Sequence, residues 1–152
     1  MNSSLETKFD LLDKYLTDLR DIQPANFDAF EQDKMLRRYA ERMLHMTIDV
    51  CIQIAIEILT YANLRAPENY HDVFIVLGDH KILSPMLVNS MTMLVELRNL
   101  LVYEYDVVDH MMVYSVLKKR LDDLAEFVRA MRAHVNHEPY IPSPDFAEPI
   151  EE

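Results

Sequence analysis

A chain of 152 residues is long enough to bury a sizeable core in one domain. Its formal net charge of −11 argues against a general nucleic-acid binder, which gains affinity by setting Lys and Arg against phosphates. Half the residues are apolar and only one, Gly78, is glycine, which points to an all-α fold and excludes a glycine-rich phosphate loop.

The first helix is expected over about 4–21. Ser3 and Glu6 have the spacing of a capping box, Leu5, Phe9, Leu12, Leu16 and Leu19 follow at steps of four and three, and Pro24 lies beyond the end. A second, longest helix starts near Asp28 or Asp33 and meets no breaker before Leu64, with Pro67 after it. Between Ile48 and Leu59 it is apolar almost all round, except for Asp49, Gln53 and Glu57 at intervals of four. Arg38, Arg42 and His45 extend this polar line backward. Such a stripe is commonly a solvated face laced by i,i+4 ion pairs; the alternative is a face turned toward a site or a second subunit. Residues 66–84 read as a loop, a short helix over about 70–79 and a turn.

Pro85 suits the first turn of a third helix carrying Met86, Leu87, Met91, Leu94, Val95 and Leu101. Asp109 is an N-cap candidate for a fourth, whose stripe from Val113 to Met131 runs on to about residue 136. Four such helices predict an antiparallel four-helix bundle over residues 1–137, with one short extra helix. From 138 to 152 the chain is acidic and holds four of the seven prolines, so an extended, unordered tail is expected, the alternative being that Tyr140, Ile141, Phe146 and Ile150 dock on a partner. No charge-free apolar run spans a membrane, and MNSSLETKFD lacks a basic region followed by an apolar one. A cytoplasmic protein without membrane association is expected.

The polar residues that need a reason lie at the join of the third and fourth helices, in LRNLLVYEYDVVD over 97–109. Arg98, Asn99, Tyr103 and Tyr105 sit there in a frame of Leu and Val. On a continuous helix Arg98 and Tyr105 share a face, whereas Tyr103 lies about 140° away from Arg98. Arg98 and Tyr103 then share a pocket only if the helix unwinds there or a second chain closes the site.

Other chemistries lack their residues. A di-iron bundle needs two Glu-x-x-His pairs, and none occurs; His134 and His137 are too few for a metal site, and His71, His80 and His110 are scattered at ends and loops. No Ser/His/Asp spacing stands out. Cys51 is the only cysteine and reads as a small core residue, and the ten methionines read as core filler. Neither metal nor cofactor is expected.

The stretch from Pro67 to Asp109, with RRYAERMLHMTIDVCIQIA at 37–55, closely resembles HepT-type toxins of the HEPN superfamily, the all-α partners of minimal nucleotidyltransferase (MNT) antitoxins. The resemblance covers roughly residues 5–135. The family motif is Arg, four residues, His, one residue, Tyr, with Asn usually after the Arg. Arg98, Asn99 and Tyr105 match it, and Tyr103 stands where the family has His. The resemblance implies a homodimer that cleaves RNA, a tRNA or an mRNA, without metal, as the toxin of a type VII toxin–antitoxin system. It makes Arg98 the charge stabiliser, Asn99 an orienting group, and Tyr105 the tyrosine that the MNT antitoxin silences by AMPylation. A phenol with an ordinary pKa near 10 is a poor base at neutral pH, so Tyr103 implies weakened or absent cleavage. The alternative is a non-catalytic HEPN interaction module that binds a nucleotidyltransferase or a nucleotide.

Overall fold

The computed structural model describes residues 3–147, and among these the regular structure is seven α-helices and two 3-10 turns, without a strand. The N-terminal leucine pattern forms α1 (Ser3–Asp21), which buries Leu5, Phe9, Leu12, Leu16 and Leu19. The expected capping group of Ser3 lies outside the described side chains.

Both starts proposed for the second helix exist, because the segment is two helices. In α2 (Phe27–Gln32) Asn26 caps the first turn by accepting from the Ala29 N–H at 2.8 Å. Asp33 then breaks out into extended backbone and caps α3 (Lys34–Tyr61) by accepting from Leu36 N–H at 3.0 Å. A cap satisfies an amide the helix itself leaves unpaired, so an internal Asp can end one helix and begin the next. The far end falls at Tyr61, short of Leu64, because Asn63 takes a left-handed φ of 55°. The Leu64 and Asn63 amides then close back on the Leu59 and Thr60 carbonyls at 3.1 Å each.

The short helix α4 (Tyr70–Asp79) occupies its expected span, capped by Asn69. Gly78 serves a close approach: a Cβ there would lie 2.7 Å from Val88 Cγ2 on the next helix. That helix, α5 (Pro85–Tyr103), opens with Ser84 as cap and Pro85 in its first turn. The predicted fourth helix is again two, α6 (His110–Lys119), capped by Asp109, and α7 (Leu121–Val135). At Arg120 the backbone flattens to ψ −3°. The two pieces have different neighbours, α6 packing on α2 and α3 while α7 packs on α1 and α5.

Helices α1, α3, α5 and α7 close a ring, each packing on the next and α7 returning to α1, which is a four-helix bundle. Phe74 of α4 meets Phe127 of α7 edge-on at 5.8 Å, and Cys51 is fully buried, its thiol pushed far up by burial. By length and composition α3 could cross a membrane, but most of its apolar side chains, among them Leu44, Ile48, Ile54 and Ile58, are buried against the other helices.

The C-terminal segment is extended, as expected, yet within the described residues it docks on its own body. Glu126 of α7, nearly fully buried, accepts from Tyr140 Oη at 2.6 Å, Ser143 N–H at 2.9 Å, Ser143 Oγ at 2.7 Å and Arg129 Nη1 at 2.9 Å, while Phe146 is buried. Proline stops a helix but not burial, and a buried carboxylate with four donors overrides the composition. Ile150 and the last acidic residues lie outside the described residues.

Candidate functional site

The packing of α3 on α5 sets one polar cluster in the apolar wall of the bundle. Arg98, in the last turns of α5, points inward and is 8% exposed. A guanidinium that far from water requires an anionic partner, and Asp49 of α3 supplies it: Arg98 Nε donates to Asp49 Oδ1 at 2.7 Å. Arg98 Nη1 donates to Asn99 Oδ1 at 3.1 Å, so the neighbouring amide also orients the cation. Burial alone would push the Arg98 pKa down; Asp49 and Tyr103 outweigh it, and the guanidinium is held above its ordinary value.

Two aromatic rings complete the surroundings. The guanidinium carbon lies 5.0 Å from the ring centre of Tyr70, the first residue of α4, and 5.9 Å from that of Tyr103. Arg98 and Tyr103 both lie on α5, which ends at Tyr103, with Glu104 leaving the helix at φ −133° and ψ 47°. Neither unwinding between them nor a second chain is needed, contrary to the expectation from sequence: two long side chains five residues apart meet on one continuous helix. The same ending removes the helical register that would place Tyr105 on the face of Arg98. Tyr105 instead opens a 3-10 turn, Tyr105–Val107, and its side chain lies outside the described ones.

The polar stripe of α3 divides between its two readings. Toward the C-terminus it is an ion-paired face, with Glu57 accepting from Lys8 of α1 at 3.0 Å. In the middle it turns toward Arg98. His45 Nε2 lies 2.9 Å from Asp49 Oδ2, so one carboxylate bridges the imidazole and the guanidinium. Arg38, Glu41, Arg42 and His45 of α3, with Leu101 of α5, wall a cavity of about 220 Å³ beside this network. It is the local basic pocket that an acidic chain can carry without being basic overall.

Sequence analysis therefore named Arg98, Asn99 and Tyr103, which the structure brings together, and named Asp49 and His45 only as members of a stripe. It missed Tyr70, whose sole local signal is the Asn69 cap that starts α4. Among the described residues no group of three or more His, Cys, Asp or Glu side chains is placed to hold a metal ion. What the cluster offers is a fixed cation with five N–H donors, two of them taken by Asp49 and Asn99, beside hydroxyl and imidazole groups. That set suits an anionic oxygen, such as a phosphodiester.

Residues 12–131 match the family model described as ribonuclease HepT-like. The chain is 28% identical over 133 residues to the tRNA nuclease HepT of Aphanizomenon flos-aquae, covering 86% of this chain and 89% of that one. It is 27% identical over 104 residues to the mRNA nuclease HepT of Shewanella oneidensis, covering 68% and 78%. In structure it resembles a tri-AMPylated Shewanella oneidensis HEPN toxin solved in complex with an MNT antitoxin. The TM-score is 0.81 at 23% identity, over 88% of this chain and 99% of the other.

Proposed function

The chain belongs to the ribonuclease HepT-like family, and from that membership we propose that it is the cytoplasmic toxin of a type VII toxin–antitoxin pair, a metal-independent endoribonuclease. The observation that carries this reading is Arg98, buried, locked by Asp49 and Asn99, and beside Tyr103 in the motif position where the family has histidine. In the proposed reaction the 2′-hydroxyl of RNA attacks the adjacent phosphate, and Arg98 stabilises the charge that builds on the phosphoryl oxygens. Its fixed position means little reorganisation is needed at the moment of reaction. Asn99 holds the guanidinium plane. Relatives named as nucleases of tRNA and of mRNA make those the RNA classes to test first.

A homodimer is part of the proposal, with the two sites facing one cleft. So is an MNT nucleotidyltransferase partner that transfers AMP to Tyr105 and thereby sets a bulky anion at the end of α5. Tyr103 makes cleavage weaker than that of a histidine-bearing motif. The second reading, a non-catalytic module, draws support from that same substitution. Chelator-treated RNA incubated with the parent, Tyr103→His, and Tyr103→His/Arg98→Ala decides between them. Histidine should raise the rate, and loss of Arg98 should abolish it. Equal background cleavage by all three, with the fold intact, would leave the module.

A further inference from the structure

We propose that His45 is the acid–base group of this site and takes the proton of the attacking 2′-hydroxyl in place of the histidine that the motif lacks at Tyr103. The inference rests on the ribonuclease reading above. His45 lies one turn before Asp49 on α3, and Asp49 joins it to Arg98 through two short contacts, 2.9 Å from Oδ2 to the imidazole and 2.7 Å from Oδ1 to the guanidinium. A carboxylate that accepts from Nε2–H fixes the neutral tautomer and leaves the lone pair on Nδ1, which is the form a general base requires. The imidazole is partly exposed and lines the cavity formed with Arg38, Glu41, Arg42 and Leu101.

That cavity fits the backbone of RNA. Arg38 and Arg42 are exposed at its wall and supply positive charge on an otherwise acidic chain, while the buried Glu41, with Oε2 3.8 Å from Arg38 Nη1, tempers it. Leu101, in the same wall, stands nearly one helical turn from Arg98, which sets the cavity at the His45 end of the Asp49 bridge. The charged and titratable groups about His45 are thus Asp49, Arg38, Glu41 and Arg42 on its own helix, and Arg98 of α5 across Asp49.

In the step itself His45 Nδ1 accepts the 2′-hydroxyl proton as the 2′-oxygen bonds to phosphorus. The bond from phosphorus to the 5′-oxygen breaks, that oxygen takes a proton from water, and the imidazolium returns its proton to the hydroxide so formed. The products are a 2′,3′-cyclic phosphate and a 5′-hydroxyl end, with no oxidant or metal consumed.

The test uses the full chain, a short fluorescent single-stranded RNA of mixed sequence and its 2′-deoxy counterpart, in chelator. The parent should cleave the RNA and leave the deoxy strand intact, with a rate that rises with pH as a general base requires. His45→Ala should lower the rate about a hundredfold or more and flatten that rise, and free imidazole should restore part of it. Rescue by imidazole separates a chemical role from mere support of Asp49. An inert parent with an active Tyr103→His variant would overturn the His45 assignment and leave the ribonuclease reading standing. So would an unrescued His45→Ala variant that keeps the parent's pH profile at a lower rate. Cleavage by none of the proteins would overturn both.

Discussion

At the scale of single residues the site turns on one buried cation and how it is held. Arg98, Asn99 and Tyr103 were legible because polar side chains in a Leu and Val frame are conspicuous. Asp49 was legible only as one of a series, since which member of a stripe meets a partner depends on how α3 and α5 are rotated against each other. Tyr70 was not legible, because its approach to Arg98 depends on where α4 docks. Truncating Asp49 leaves a mostly buried guanidinium without its carboxylate. Asp49→Ala should therefore cost about 2 kcal/mol in urea unfolding, and it should also lower any Arg98-dependent cleavage. The proposed AMP acceptor rests on the family motif, because the helix ends before Tyr105. Intact-mass spectrometry after incubation with an MNT partner, ATP and magnesium should show added AMP on the parent and none on Tyr105→Phe. Equal labelling of the two would move the acceptor elsewhere.

At the scale of elements, periodicity told where helices run, and capping told where they stop. The stripe in the fourth predicted helix continues through Arg120 without proline or glycine, so its division into α6 and α7 left no mark in the pattern. Asp33 was visible as a possible start, but only the extended backbone there makes it an end as well. The docked tail was hidden for a different reason. Its anchor, Glu126, looks like any acidic residue of an amphipathic helix until four donors converge on it. Burial would raise the Glu126 pKa, and the hydrogen bonds from Tyr140, Ser143 and Arg129 outweigh it, so the folded value lies below the ordinary 4.5. A carboxyl depressed on folding stabilises above its unfolded pKa, and that stabilisation fades as pH falls through the folded value. Glu126→Gln should accordingly cost about 2 kcal/mol in urea at pH 7 and release the tail to proteolysis between residues 138 and 147. The gap from the parent should narrow toward pH 3; a constant gap would mean that the carboxylate's charge contributes nothing.

At the scale of the whole molecule, the ring of α1, α3, α5 and α7 follows from four apolar stripes, with α2, α4 and α6 carried in the connections between them. The proposed dimer requires a different argument. Divergence of Arg98 and Tyr103 no longer supports it, because the two side chains meet within one chain on the continuous helix α5. What remains is the surface around the site. Val102, Tyr103, Val107, Met111 and Met112 are exposed at the end of α5 and the start of α6. Beside them a groove of about 350 Å³ runs between α5 and α6, walled by Met93, Leu97, Leu100, Met112 and Val116. A contiguous apolar surface beside a polar site is the usual mark of an interface, and a symmetric pairing through it would set two Arg98 clusters along one cleft. Light scattering at micromolar concentration should therefore report twice the 17.9 kDa of the chain. Met112→Asp places a charge in that surface and leaves the core untouched, so it should halve the mass while the thermal unfolding profile stays close to the parent's. If cleavage then falls with the dimer, the site is shared between chains; a monomeric variant that cleaves at the parent's rate would confine it to one.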